Sequence, residues 1–286
     1  MPMTKPIRAL DPMRVAVIRE VYKAAQVLDF EIFMIGATAR IILLEHVFGL
    51  SAGRTSNDID FALAIENWTM YEKIKAYLIN ECGFTQSNGK IHQLFFNTAE
   101  QQHAYEIDLI PFGAIETTPD TIKWPPEMSV ILNVAGYRDA LNAAIKLELE
   151  PDLTISIASL PSIAILKIFA WVDRRHDSKS KDAIDLAALL RSYHEAGNET
   201  RIYEDNIAIA ALEAADYDIE LTGAWLLGKD ASKMASQTTK EQILTIINGE
   251  KRRYLIQDMA KELKAMENPL HHSERLLQQF INGFSA

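Results

Sequence analysis

Cysteine is nearly missing from this chain. Cys82 stands alone in 286 residues, so no intrachain disulfide can form and no thiolate pair is available for zinc. Long apolar runs are missing too: the longest uncharged stretch, residues 153–166, contains Pro161 and falls short of the roughly 20 residues a membrane-crossing helix needs, so no membrane span is expected. The opening Met-Pro-Met-Thr-Lys-Pro lacks the apolar core of a signal peptide, and with a lone cysteine it points to a reducing cytoplasm. Basic residues are in deficit, 29 Lys and Arg against 39 Asp and Glu, which excludes a surface that is basic throughout; nucleic acid must be met by a local patch. Internal repeats and low-complexity tracts are also absent. The remaining composition, 48% hydrophobic and 24% charged, is that of an ordered globular protein long enough for one large domain or two ordinary ones.

The stretch around which the chain is organised runs over residues 33–61. Residues 31–35 read as a short strand, and Gly36 breaks it into a helix whose first residues are Ala37, Thr38 and Ala39, with Arg40 behind them. Unpaired amides at such a helix start suit a phosphate. After a loop over residues 48–54 come Ser56, Asn57, Asp58, Ile59, Asp60 and Phe61. Two-residue spacing sends both carboxylates to one face of a strand while Ile59 and Phe61 face a core, so that face can hold a cation. A phosphate cradle followed by paired carboxylates is the set that metal-assisted nucleotide chemistry uses, because hard divalent cations prefer carboxylate and phosphate oxygens together. Arg54, in the loop, has a phosphate contact as one reading and a surface arginine as the better one.

Further on, residues 105–112 alternate again. Tyr105, Ile107 and Leu109 share one face, and Glu106, Asp108 and Ile110 the other, so Asp108 offers a third carboxylate, with Glu106 as its alternative. Helices are expected at residues 11–28, with Asp11 as N-cap and Pro12 in the first turn, and at 68–80; hairpins are expected around Ser87-Asn88-Gly89 and Glu150-Pro151-Asp152. Beyond residue 158 the apolar spacing is helical almost throughout, including 200–215, 217–227, 240–248, 250–266 and 274–281, while the adjacent His271 and His272 read as surface residues. In the helix after Pro161, Lys167 interrupts a run that is apolar nearly all round; a buried ammonium must snorkel out or meet an anion. Arg174 lies on nearly the same face, and the next helix carries Lys181, Asp182 and Asp185, the two acids sharing a side.

The first stretch resembles the DNA polymerase β-type nucleotidyltransferases, and most closely the toxin-like branch first known from abortive phage infection, which reads Gly-Gly-Thr-Ala, a helix, then Ser-x-Asp-Ile-Asp-Phe. Here Ala37 replaces the second glycine. The second stretch is similar to the helical part of the same branch, Lys, then Arg, then Lys-Asp-x-x-Asp-Leu, so the likeness spans residues 33–186. It implies an α/β (α+β) fold: a catalytic domain, residues 1–158, with a mixed sheet flanked by helices, then a helical domain, 159–286, that closes the nucleotide cleft. It also implies a Mg²⁺-dependent nucleotidyltransferase taking an NTP, with two ions on Asp58, Asp60 and Asp108. Asp58, Asp60, Asp108 and Lys167 would be catalytic; Gly36, Ala37, Thr38, Arg40, Ser56, Arg174, Lys181, Asp182 and Asp185 would line the nucleotide. The acceptor expected from the likeness is tRNA, and a cognate antitoxin is the expected partner. Arg174, Arg175, Lys179, Lys181 and the run Lys251-Arg252-Arg253 offer a local RNA track. The reading from a different class is a non-catalytic nucleotide- or partner-binding protein that keeps the fold.

Overall fold

A computed structural model describes residues 4–87, 90–96, 105–175 and 180–286. The expectations for Asn88, Gly89 and Lys179 lie outside the described residues. The chain divides into two units: Met1–Gly49 with Thr55–Ala158, and Leu50–Arg54 with Ser159–Ala286.

The first unit contains helix α1 (Pro12–Leu28), strand β1 (Glu31–Ile35), helix α2 (Gly36–Ile41), which continues as a π-helical segment (Ile42–Val47), strand β2 (Asp58–Ala64) and helix α3 (Trp68–Glu81). There follow β3 (Phe84–Gln86), β4 (Gln93–Phe96), β5 (Tyr105–Phe112), the pair β6 (Thr121–Lys123) and β7 (Ile131–Asn133), α4 (Tyr137–Asn142), β8 (Ile145–Glu150) and β9 (Leu153–Ile157). Among the described residues, seven strands form one mixed sheet in the order β3-β4-β5-β2-β1-β9-β8, with helices flanking it; β1 and β2 are antiparallel, whereas β2–β5 and β1–β9 are parallel. The local signals read from sequence act as expected in α1, where Asp11 Oδ1 accepts from the Arg14 amide at 2.9 Å and Pro12 occupies the first turn. Phe33, Ile59, Phe61, Ile107 and Leu109 are wholly buried and form the centre of this unit's core.

The second unit is helical: α5 (Leu160–Arg174), α6 (Lys181–Ser192), α7 (Glu199–Glu204), α8 (Asn206–Ala214), α9 (Ile219–Met234), α10 (Gln237–Asn248), α11 (Arg252–Met259) and α12 (Pro269–Phe284). Two of the expected helices need correction. The single helix expected over 200–215 is split at Asp205, whose side chain accepts from the Ile207 amide and starts α8 afresh. The helix expected over 250–266 ends at Met259, and turns follow. In α12, His272 is half-buried with Nε2 2.5 Å from Glu220 Oε1, so it is not a plain surface residue. Helices α9 and α12 meet at two glycines: a Cβ on Gly228 would lie 2.1 Å from the Phe280 carbonyl oxygen, and one on Gly283 would lie 1.9 Å from that of Trp225. Among the described residues no helix is long and apolar enough to cross a membrane.

Candidate active site

Strand register brings the acidic residues of the first unit together. In the parallel pair β2–β5, Asp58 stands opposite Glu106 and Asp60 opposite Asp108. In-register residues of neighbouring strands share a face, about 4.8 Å apart, so four carboxyl groups form a two-by-two array. Their neighbours Ile59, Phe61, Ile107 and Leu109 turn the other way into the core. The crowding is felt at Glu106: burial first, and then the negative charge of Asp108, push its carboxyl above the ordinary 4.5, with Asp58 adding to the shift and Lys90 and Gln93 opposing it. A proton or a hard cation relieves such repulsion.

Gly36 joins the phosphate-cradle motif to this array. It has φ +75°, and a Cβ there would lie 1.9 Å from Asp60 Oδ2. The carboxyl of Asp60 therefore rests against bare backbone at the start of α2, where only glycine offers both the left-handed conformation and the space. Ser56 Oγ donates to Asp58 Oδ1, and the Ser56 carbonyl accepts from Arg14 Nη2 at 3.4 Å. Two expected nucleotide contacts are placed elsewhere. Thr38 is wholly buried, and its Oγ1 donates to the Asp58 carbonyl at 2.6 Å, fastening α2 to the first residue of β2. Arg40 is enclosed within the unit with no exposed surface, because it falls on the inward side of α2. Ala37 is also buried.

Two side chains that carry no motif complete the surroundings. Gln93 lies opposite Asp108 on antiparallel β4, and its Nε2 donates to Glu106 and, at 3.3 Å, to Asp108 Oδ1. His92 Nε2 is 3.8 Å from Asp108 Oδ2; burial, then the charge of Lys90, brings its imidazole down to about 4, so it is neutral at pH 7. A polar residue buried in a strand was the only sequence signal for Gln93, and it means little without the register. Among the described residues, no three His, Cys, Asp or Glu side chains gather closely enough to hold a metal ion by themselves. The donors present are nevertheless all carboxylate oxygens, the type that suits Mg²⁺, an ion that commonly takes one or two protein carboxylates and completes its shell with phosphate and water.

The second unit holds its own ionic group. Lys167 is 6% exposed, and its Nζ lies 2.9 Å from Asp182 Oδ1 and 2.6 Å from Asp185 Oδ2. Arg174 grips Asp182 through Nε and Nη2 at 3.0 and 2.9 Å. Arg54, expected at the surface, grips the wholly buried Asp185 through Nε and Nη2 at 2.8 and 2.7 Å. That correction has a plain cause: residues 50–54 pack with the helical unit, where Ala52 is wholly buried. Lys181 is exposed at the start of α6, and none of these contacts includes it.

A family model described as the nucleotidyl transferase AbiEii toxin of a type IV toxin–antitoxin system matches residues 25–279. No curated protein matches the chain. Among solved structures, an antigenic nucleotidyltransferase-like protein from Paracoccidioides brasiliensis is similar over 72% of this chain and 95% of its own, at 12% identity and TM-score 0.42. A putative nucleotidyltransferase from H. pylori is similar over 96% of each chain, at 15% identity and TM-score 0.39. The antibiotic-resistance factor ANT(2'')-Ia is similar over 73% of this chain and 99% of its own, at 15% identity and TM-score 0.39.

Proposed function

Because the chain belongs to the AbiEii family of nucleotidyl transferase toxins, we propose that it moves a nucleoside monophosphate from an NTP to an acceptor hydroxyl, and that the acceptor is tRNA. The observation that carries this reading is the array of Asp58, Asp60, Glu106 and Asp108 with Asp60 laid against Gly36. The acceptor oxygen forms a bond to the α-phosphorus, the bond from that phosphorus to the bridging oxygen breaks, and pyrophosphate leaves with the electron pair. Asp108 takes the acceptor proton as general base, and Gln93 orients its carboxyl. Backbone amides at Gly36 and Ala37 hold phosphate oxygens, since the Thr38 hydroxyl is already engaged. Asp58 and Asp60 would hold Mg²⁺, with Asp108 contributing toward a second ion; when bound, the metal neutralises charge on the triphosphate. The proposal extends to a growth-inhibiting role in the cytoplasm countered by an antitoxin; the family's description as the toxin of a type IV toxin–antitoxin system supports the antitoxin partner.

Incubation of the protein with each α-labelled NTP, Mg²⁺ and total RNA tests this reading. Label should pass to RNA of tRNA size in the wild type and not in Asp60→Asn. Tight NTP binding without transfer to RNA, small molecules or protein would favour a non-catalytic binder.

A further inference from the structure

Two basic runs of the second unit that lie far apart in sequence meet on one tyrosine. The guanidinium carbon of Arg175, the residue after α5, lies 4.3 Å from the centre of the Tyr254 ring on α11. That of Arg253 lies 4.6 Å from the same centre, and its Nη2 donates to the Tyr254 hydroxyl at 2.7 Å. Ring faces attract such cations. Helices α5 and α11 are fastened together here: the buried Trp171 donates from Nε1 to Asp258 Oδ2 at 3.0 Å, while Ser180 Oγ and Lys261 Nζ occupy Asp258 Oδ1. The one acid of α11 is thereby engaged. Among the described residues, Arg54, Arg174, Arg191, Arg201 and Arg275 of this unit each pair with a carboxylate. Arg175 and Arg253 meet aromatic rings instead, and Arg252 the Gln278 amide oxygen. In a chain of net charge −10, positive charge gathered at one place and kept off carboxylates is a local field for an anion.

We infer that Tyr254, with Arg175 and Arg253 over its ring and the exposed Lys251 just before α11, is a binding surface for single-stranded RNA. Planar guanidinium and phenol groups stack on unpaired bases, and the N–H groups around each guanidinium serve phosphate oxygens. An acidic protein segment would be met by charge alone, as Arg54 and Arg174 meet their carboxylates in two-pronged grips. Of the track read from sequence, Arg174 is bound to Asp182, while Tyr254, which no basic run marks, stands at the centre. RNA binding requires only this surface of the second unit. That the bound RNA is also the acceptor rests on the proposed reaction.

Fluorescence anisotropy of a labelled oligoadenylate, with unlabelled tRNA and polyglutamate as competitors, tests this on the full chain without NTP. Tyr254→Ala should weaken the oligoadenylate about fivefold or more, the scale of one lost base stack, and Tyr254→Phe should stay within about twofold of wild type. If Tyr254→Ala does not fold, Tyr254→Leu carries the same expectation, since it keeps the apolar bulk without the ring. Arg175→Gln and Arg253→Gln should each make the slope of log Kd against log salt shallower by about 0.7, as one lost phosphate contact does on a single strand. Unlabelled tRNA should displace the oligoadenylate, and polyglutamate of equal charge should not. No binding by the wild type, wild-type affinity in Tyr254→Ala, or an unchanged salt slope in both arginine variants would overturn the inference. Displacement by polyglutamate would overturn it too, and would assign the surface to an acidic protein partner. Label transfer separates this surface from the acceptor reading. RNA binding that the variants weaken, in a chain that passes no label to RNA, would overturn the acceptor reading and leave the surface in place. Label transfer with wild-type KM for tRNA in Arg175→Gln combined with Arg253→Gln would overturn the surface and leave the acceptor reading.

Discussion

Replacing Asp58 or Asp60 by asparagine removes one negative charge from a strand face that carries four carboxyl groups. Transfer is expected to vanish while the melting temperature without metal stays equal or rises; a clear fall would mean that these acids serve the fold. Glu106 allows a sharper test through pH. Its carboxyl lies above the ordinary value in the folded chain, so ionisation is less favourable folded than unfolded, and stability is lost as pH rises from below 4.5 through the folded value. Glu106→Gln should therefore melt higher than wild type at pH 7, with the difference fading below about pH 4.5 in a melting series. Asp108→Ala is expected to lower kcat about a hundredfold or more with little change in NTP affinity, as befits a general base, and Glu106→Ala much less. Lys167→Met would leave Asp182 with Arg174 and Asp185 with Arg54, so its stability cost should stay below the roughly 3–5 kcal/mol of an uncompensated buried charge. Denaturant melts of the variant measure that cost.

The strands and first helices were legible because their signals are local. Alternation placed Asp58, Asp60 and Asp108 on polar faces, and Asp11 with Pro12 marked the start of α1. What sequence alone could not give was pairing between distant elements. That Asp58 meets Glu106, or that Gln93 lies across from Asp108, depends on a register no local pattern encodes. The inward turn of Arg40 is hidden for the same reason, since a charged residue on a short helix gives no sign of being enclosed. Asp205 was missed because apolar spacing continues across it, even though its cap starts α8. Asp205→Ala should lower the midpoint of a denaturant melt, because the cap that starts α8 is lost. At the crossing of α9 and α12, Gly228→Ala or Gly283→Ala should cost at least the roughly 1–3 kcal/mol of ordinary overpacking, because the new methyl would meet backbone rather than a side chain able to move.

At the scale of the whole chain, the composition excluded a generally basic surface and a disulfide framework, but it gave no sign that residues 50–54 belong with residues 159–286. The backbone consequently passes from one unit to the other three times: after Gly49, after Arg54 and after Ala158. The hairpin β8–β9 ends at Ile157 and makes a cut at residue 158 look clean, yet a fragment of residues 159–286 would carry Asp185 without Arg54. That fragment is expected to be recovered poorly, and adding a peptide of residues 48–56 or substituting Asp185→Asn should improve its melting behaviour. The same arrangement constrains how such chains can be recombined. A chimera that exchanges the helical part with a relative at one junction would pair a buried acid from one parent with a loop from the other. A functional exchange has to carry two separate pieces of sequence, so Arg54 and Asp185 are expected to be inherited together although 131 positions separate them.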